Sequence, residues 1–408
     1  MDRRFYFLAL APTGIGISGS DRIFIELARN WTKKIPVSIY TTSEGIAMTK
    51  RQKLFGKYLK IVKIEKSKLP SSFFLKYLYK IFLGIKLGLS LTVNHQSSAI
   101  YLYSSSDFWM DVFPAVLLKI RNPKLKWVAT WYQTAPNPFK GYIESSLTKI
   151  RARSYKFSAI LYWFSQLIVK PLIKKYADFV IVNNEDERKR FPEFDEKKKV
   201  IVLLGAVSLD KIEEYKKIHK FQGIDNQLSG FDAVFQGRFH PQKGVLELID
   251  IWKKVVEKKF DAKLAMIGDG PLFEDVKLRI KDFGLEKNVG LFGYVFDGPK
   301  KYGIFSRSKI VVHPSFYDSG GMASAEAMAF GLPCIGFNLK AYEFYYPKGI
   351  VKVKIGDIDA FAKVILKFLD DSKYRKKIGY EALQMIKENW SWEKRADEVF
   401  KKISKNVS

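Results

Sequence analysis

The chain of 408 residues has a single cysteine, Cys334, and only four histidines. One cysteine excludes a disulfide framework and any cysteine-built zinc site, and it suits a reducing compartment. His95, His219, His240 and His313 form no metal-ligand spacing. No apolar run reaches the ~20 residues that a membrane-spanning helix requires. The best candidate, 157–169, has 13. Acidic residues are scarce as well: 42 Asp and Glu face 70 Lys and Arg, a net charge of +28. With 47% apolar residues the chain folds rather than staying disordered. Its length allows two or three domains, each with its own core. Met1 to Tyr6 run straight into a strand-like stretch, without a signal-peptide cleavage pattern.

The charge is unevenly placed. Residues 1–180 carry 29 basic and 9 acidic residues, whereas 181–408 carry 41 and 33. The excess concentrates in 51–90, ten basic against one acidic, and in 121–175, eleven against Glu144. Such a half points to nucleic acid, an anionic membrane surface or phosphorylated ligands. A solvated lysine-rich surface explains the total charge better than its asymmetry. Residues 157–169 lie between Arg151, Arg153 and Lys156 and Lys170, Lys174 and Lys175. They suit either a helix in a membrane interface or a packed core helix. In 73–91, Lys76, Lys80 and Lys86 fall opposite a Phe/Leu/Ile face, which predicts a helix turning that apolar face onto a sheet.

Both halves alternate strand-like and helical stretches, the pattern of doubly wound parallel sheets. Strands are expected at Phe5–Leu10, Val37–Tyr40, Lys60–Ile64, Ala99–Tyr103, Lys126–Thr130, Phe179–Val182 and Val200–Leu204. The second half places them at Ala233–Phe235, Leu264–Ile267, Gly290–Phe292, Ile310–Val312, Pro333–Gly336 and Ile350–Val353. A boundary is expected in the polar stretch around 205–230. Ligands of such sheets bind beyond the carboxyl ends of the strands.

Several loops after strands carry candidate chemistry. The first, Ala11 to Arg22, holds Gly14, Gly16 and Gly19 but matches neither a Walker loop nor a Gly-x-Gly-x-x-Gly run. In the second half, Gly237-Arg238 and Lys243-Gly244 frame two cations five residues apart, able to bracket a diphosphate. Gly293-Tyr294 ends a later strand in glycine. The run from His313 to Pro333 sets Asp318 and Glu326 around the Gly320-Gly321 turn. Amides of Gly321, Met322 and Ala323 would point from a helix start toward an anion. Taken alone, Asp318 would cap the turn and Glu326 would complement the helix dipole. Asp357 and Asp359 resemble a metal-binding Asp-x-Asp, but they open a helix and read better as capping.

The order and spacing of these motifs resemble glycosyltransferase family 4, the glycosyl transferases group 1, nearly over the whole chain and most closely over 233–370. The resemblance implies an α/β GT-B architecture of two Rossmann-like doubly wound domains, 1–205 and 206–385, facing a central cleft. A C-terminal helix, 386–408, would cross back to the first domain. It implies a retaining, metal-independent hexosyltransferase whose co-substrate is a nucleoside-diphosphate sugar. Arg238 and Lys243 would bind the diphosphate, Asp318 the transferred sugar and Glu326 the ribose. Gly16, Gly19, Gly237, Gly293, Tyr294, Gly320, Gly321, Met322 and Ala323 would complete the donor site. The family's first motif carboxylate is usually Glu; here Asp318 is one methylene shorter. Where many members place a histidine, this chain has Trp131 to Thr134, so Tyr132 and Gln133 are the acceptor-side candidates. The basic first half and aromatic 157–169 add a lipid-linked acceptor and an anionic membrane as partners, with the enzyme peripheral on the cytoplasmic face. Nucleic acid is not an expected partner. The rival reading is an inactive GT-B protein binding nucleic acid or membrane through its basic half, against which the donor set weighs.

Overall fold

The computed structural model describes residues 3–13, 16–93, 99–135, 156–196, 199–219, 230–318 and 320–405. Gly14, His95, Glu144, Arg151, Arg153 and the stretch 220–229 lie outside them. The chain divides into two compact units. The first draws on Met1–Pro138, Tyr155–Leu204 and Trp392–Ser408, and the second on Gly205–Ser391.

The first unit contains β1 (Arg3–Ala9), α1 (Gly19–Trp31), β2 (Val37–Thr41), α2 (Ser43–Arg51), β3 (Leu59–Lys63), α3 (Phe73–Ser90) and β4 (Ala99–Ser104). It continues with α4 (Trp109–Arg121), β5 (Lys126–Trp131), α5 (Lys156–Tyr176), β6 (Phe179–Val182), α6 (Glu185–Arg188), α7 (Pro192–Asp195) and β7 (Val200–Val202). Its seven strands are ordered β3-β2-β1-β4-β5-β6-β7, and every pairing is parallel. Parallel strands are covered on both faces, which is why β6 reads Phe-Val-Ile-Val and is buried throughout. Ser18 starts α1 by a reciprocal capping box with Asp21.

The second unit contains α8 (Leu209–Ile218), β8 (Phe231–Gln236), α9 (Val245–Val256), β9 (Leu264–Ile267), α10 (Phe273–Asp282), β10 (Val289–Leu291), α11 (Pro299–Ser306) and β11 (Ser308–His313). Then come α12 (Met322–Met328), β12 (Cys334–Phe337), α13 (Ala341–Tyr345), β13 (Ile350–Val353), α14 (Ile358–Asp370) and α15 (Ser372–Asn389). Six parallel strands follow the order β10-β9-β8-β11-β12-β13. The last helix, α16 (Trp392–Lys405), packs on α1 in the first unit, where the Trp31 indole donates to the Ala396 carbonyl at 3.0 Å. Strand order reverses between β1 and β4 in one sheet and between β8 and β11 in the other. Such switch points open a crevice at the carboxyl ends.

Three expected strands have their expected bounds, and the others shift by one or two residues at one or both ends. Helix α3 departs from expectation. Its apolar face points to solvent, with Phe82 58% exposed, while Lys80 is 1% exposed. The reason lies in two glycines. A Cβ on Gly84 would come within 2.6 Å of the Met110 carbonyl oxygen, and one on Gly88 within 2.8 Å of the Pro114 backbone. This close approach to α4 turns the glycine side inward, and the Lys80 ammonium is then satisfied by the Pro12 carbonyl and Glu44. In helix α5, Val169 joins the core, while Phe164, Leu167 and Ile168 are exposed.

Candidate active site

At the second unit's switch point, the loop after β8 locks into the loop after β11. Gly244 adopts φ +62°, and a Cβ there would lie 2.0 Å from the Pro314 carbonyl oxygen, so glycine is required. The amides of Phe316 and Tyr317 both donate to the Gln242 carbonyl, at 2.9 and 3.2 Å. This interlock brings Lys243 to Asp318, with Nζ 2.5 Å from Oδ2. His313 Nε2 lies 2.8 Å from the same oxygen, and the amides of Gly320 and Gly321 donate to Oδ1. Burial pushes the Asp318 carboxyl up, but the Lys243 ammonium and His313 outweigh it and hold it well below the usual carboxylate range. Burial lowers His313 despite Asp318 beside it, so its neutral ring serves as a hydrogen-bond donor to an ionised carboxylate. Arg238, on the same loop as Lys243, is exposed.

The neighbouring loops are stitched by backbone bonds. Gly237 N–H donates to the Ile267 carbonyl at 3.0 Å and Gly268 N–H to the Gly293 carbonyl at 2.8 Å. Beyond Gly293, the Tyr294 and Phe296 rings meet edge to face with centroids 5.0 Å apart. Glu326 Oε2 accepts from Gln236 Nε2 at 3.2 Å and pairs with Lys301, which also pairs with Asp297. Sequence reasoning missed Lys301. Its signal is a lysine one turn into the helix that follows the Gly293 loop, a side chain now almost completely buried. The Gly321 amide, expected to face a bound anion, donates to the Asp318 carboxylate. Met322 and Ala323 open α12. Asp357 caps α14 through the Ala360 amide at 2.8 Å, and Asp359 pairs with Lys254. Among the described residues no cluster of metal-ligating side chains occurs.

The first unit's switch point holds a different set. Gly16 belongs here, in the β1–α1 connection, and Gly19 opens α1. Asp111, fully buried, accepts from the Leu10 amide at 2.7 Å and from the Ser105 and Ser106 hydroxyls at 3.0 and 2.6 Å. Burial pushes its carboxyl up to about 7. Asp107 accepts from Gln166 Nε2 at 2.6 Å, and burial pushes it up to about 6. The two acceptor-side candidates lie beside this network: Tyr132 O–H meets Tyr103 O–H at 2.7 Å, and the Gln133 carbonyl accepts from Gln166 and Tyr162. Glu187 accepts from the Thr134 amide and hydroxyl and from the Trp131 indole. Asp107, Asp111, Gln166 and Glu187 carry no local motif and were not foreseen.

Residues 215–385 match the model of the family described as glycosyl transferases group 1. The chain is 28% identical over 202 residues to the UDP-Gal:alpha-D-GlcNAc-diphosphoundecaprenol alpha-1,3-galactosyltransferase of Escherichia coli, covering 47% of this chain and 51% of that protein. It is 24% identical over 321 residues to the trehalose synthase of Pyrococcus horikoshii, 74% of this chain and 70% of that one. The chain spans about half the length of curated relatives such as the Escherichia coli protein. Among solved structures, Anabaena HepE in complex with UDP and glucose superposes with a TM-score of 0.71 at 14% identity, covering 98% of this chain and 99% of that one. Sucrose-phosphate synthase from Thermosynechococcus elongatus gives 0.72 at 16% identity, with 99% of each chain covered. At such identities the likeness concerns the fold, which is that of the GT-B proteins. Residues 215–385, which hold the Arg238, Lys243, Asp318 and Glu326 motifs, are thus similar to the glycosyl transferases group 1.

Proposed function

We propose that the protein is a retaining, metal-independent glycosyltransferase. It moves a hexose from a nucleoside-diphosphate sugar to a hydroxyl of a lipid-linked or membrane-associated glycan. The observation that carries this reading is the union of Lys243, Asp318 and His313 at a switch point, inside the segment matching the glycosyl transferases group 1. As the bond to the diphosphate breaks, negative charge grows on the leaving phosphate and positive charge on the sugar carbon. Arg238 and Lys243 supply cations for the first, and preorganised charge of this kind contributes most of the rate acceleration in such sites. Asp318, kept ionised, accepts from a hydroxyl of the transferred sugar. Glu326 accepts from the ribose, and Tyr294 borders the base. The acceptor's proton passes to the leaving phosphate oxygen, so no separate general base is assigned. The Escherichia coli relative, named for a diphosphoundecaprenol-linked sugar, supports a lipid-linked acceptor. The basic residues of 1–180 support peripheral attachment to an anionic cytoplasmic membrane face.

The test is a screen of nucleotide sugars against lipid-linked and soluble acceptors, read by product mass and by NMR of the new anomeric centre. Release of nucleoside diphosphate with a retained anomer is expected, with and without chelator. No turnover and no calorimetric binding of any nucleotide sugar would remove the reading. An inverted product would remove retention alone, and activity restored only by manganese or magnesium would remove metal independence.

A further inference from the structure

Helices α3, α4 and α5 cover one face of the first sheet, and Ile81, Met110 and Val169 share the core beneath them. Trp109 of α4 joins its neighbours: its ring lies 6.5 Å from that of Tyr77 on α3, and its indole donates to the Ser165 carbonyl on α5. On the outer side of this layer α3 exposes Phe74, Leu75, Leu78, Phe82, Ile85 and Leu89. At 3.6 residues per turn these six fall within an arc of about 100°, running the length of the helix. The outward face of α5 adds Phe164, Leu167 and Ile168. A contiguous apolar stripe of this size needs a partner.

The charge around the stripe selects the partner. Neither α3 nor α5 contains a single Asp or Glu. Exposed Lys66 and Lys68 precede α3, exposed Lys86 borders its apolar arc, and exposed Lys175 ends α5. A long apolar stripe on helices that carry lysines and no acidic residue fits an anionic lipid surface, with the aromatic and aliphatic tips among the acyl chains and the lysines at the headgroups. We infer that the outer face of α3, extended by α5, is the element with which this protein enters an anionic bilayer interface, lying in its plane without crossing it. The inference rests on the membrane-associated reading above and assigns its surface. That surface draws on both basic concentrations of the sequence, 51–90 through α3 and 121–175 through α5.

The test uses the full chain and vesicles of phosphatidylglycerol and phosphatidylcholine, with phosphatidylcholine alone as the neutral case. Cys334 is the only cysteine, is buried, and has its thiol pushed up to about 12 by burial, so an introduced exposed cysteine can be labelled selectively. An environment-sensitive fluorophore on Phe82→Cys is expected to brighten and shift to the blue on anionic vesicles. The same fluorophore on Tyr380→Cys, exposed on α15 of the other unit, is expected to stay unchanged. The combined variant Leu78→Gln, Phe82→Gln and Ile85→Gln is expected to lose at least about tenfold in vesicle binding, because apolar area leaves the interface. Its calorimetric binding of a nucleotide sugar should stay normal. Pelleting with vesicles but no shift at position 82, or an unaffected triple variant, would overturn the α3 assignment and leave membrane association standing. No pelleting with anionic vesicles would overturn membrane association too, while nucleotide-sugar binding still judges the glycosyltransferase reading separately. A wild-type dimer that the triple variant dissociates would overturn the bilayer in favour of a second copy of the chain.

Discussion

Asp318 and Asp111 occupy equivalent places, each buried where its sheet's strand order reverses, yet their surroundings differ in kind. Asp318 faces an ammonium, an imidazole and two amides. Asp111 faces one amide and two hydroxyls, with Lys80 near enough to lower its proton affinity only in part. Burial raises both carboxyls. The cations reverse that effect for Asp318, whereas neutral donors leave Asp111 at about 7. The second unit therefore keeps a fixed anion beside cations suited to a diphosphate, and the first keeps a carboxyl that changes charge near neutrality. Equal folds thus carry unequal electrostatics, set by which side chains the two loops bring.

Removing the cation should give the largest effect. Lys243→Ala leaves Asp318 buried without its ammonium, and breaking one side of a buried pair costs about 3–5 kcal/mol. Turnover should fall by roughly two to three orders of magnitude as well. Arg238→Ala is the sharper comparison, because that side chain is exposed. It should lose turnover to a similar extent while stability stays within about 0.5 kcal/mol. Urea melts alongside single-turnover kinetics check both. Full turnover in the Arg238 variant would mean that this loop does not read the leaving charge.

Next comes the division of labour between the two motif carboxylates. Glu326→Gln weakens an anionic hydrogen-bond acceptor, and nucleoside diphosphate should bind about ten- to a hundredfold less tightly. Asp318→Asn removes the anion that opposes Lys243. Affinity for the nucleotide should therefore hold or rise while sugar transfer falls. Calorimetry with the free nucleoside diphosphate, set against transfer rates, distinguishes them. Equal loss of nucleotide affinity in both variants would show the two roles to be misassigned.

What was legible in the sequence follows the same physical divide. Strands such as β6 and β9 announce themselves because both faces of a parallel strand are buried and the residues are apolar throughout. Arg238 and Lys243 could be singled out because one loop holds them five residues apart, whereas Asp318 and Glu326 took their expected roles only from the family resemblance. The Asp111 site could not. Its amide donor, Leu10, is 101 residues away, and neither residue has a motif around it. Lys80 and α3 misled for another reason. Helical periodicity says which residues share a face, but the inward face was chosen by Gly84 and Gly88 against α4, not by hydrophobicity.

The smallest expected effect is the most direct comparison of the two aspartates, the pH dependence of stability. A carboxyl whose folded pKa is raised contributes stability that is complete below its unfolded value near 3.8 and is lost as pH rises through the folded value. For Asp111 that window runs from about pH 4 to about 7, and Asp107 adds to it up to about 6. Asp318 has the opposite sign. Its contribution is present above about 4 and disappears as acid protonates it at its lowered folded pKa. A single group changes stability by at most about 1.4 kcal/mol per pH unit. Urea melts of the wild type from pH 3 to 8 should therefore decline on both sides. Asp111→Asn should flatten the decline between pH 4 and 7 and leave the acid side unchanged. Asp318→Asn should flatten only the acid side. If Asp111→Asn kept the wild-type slope above pH 4, the two buried aspartates would not differ as their surroundings require.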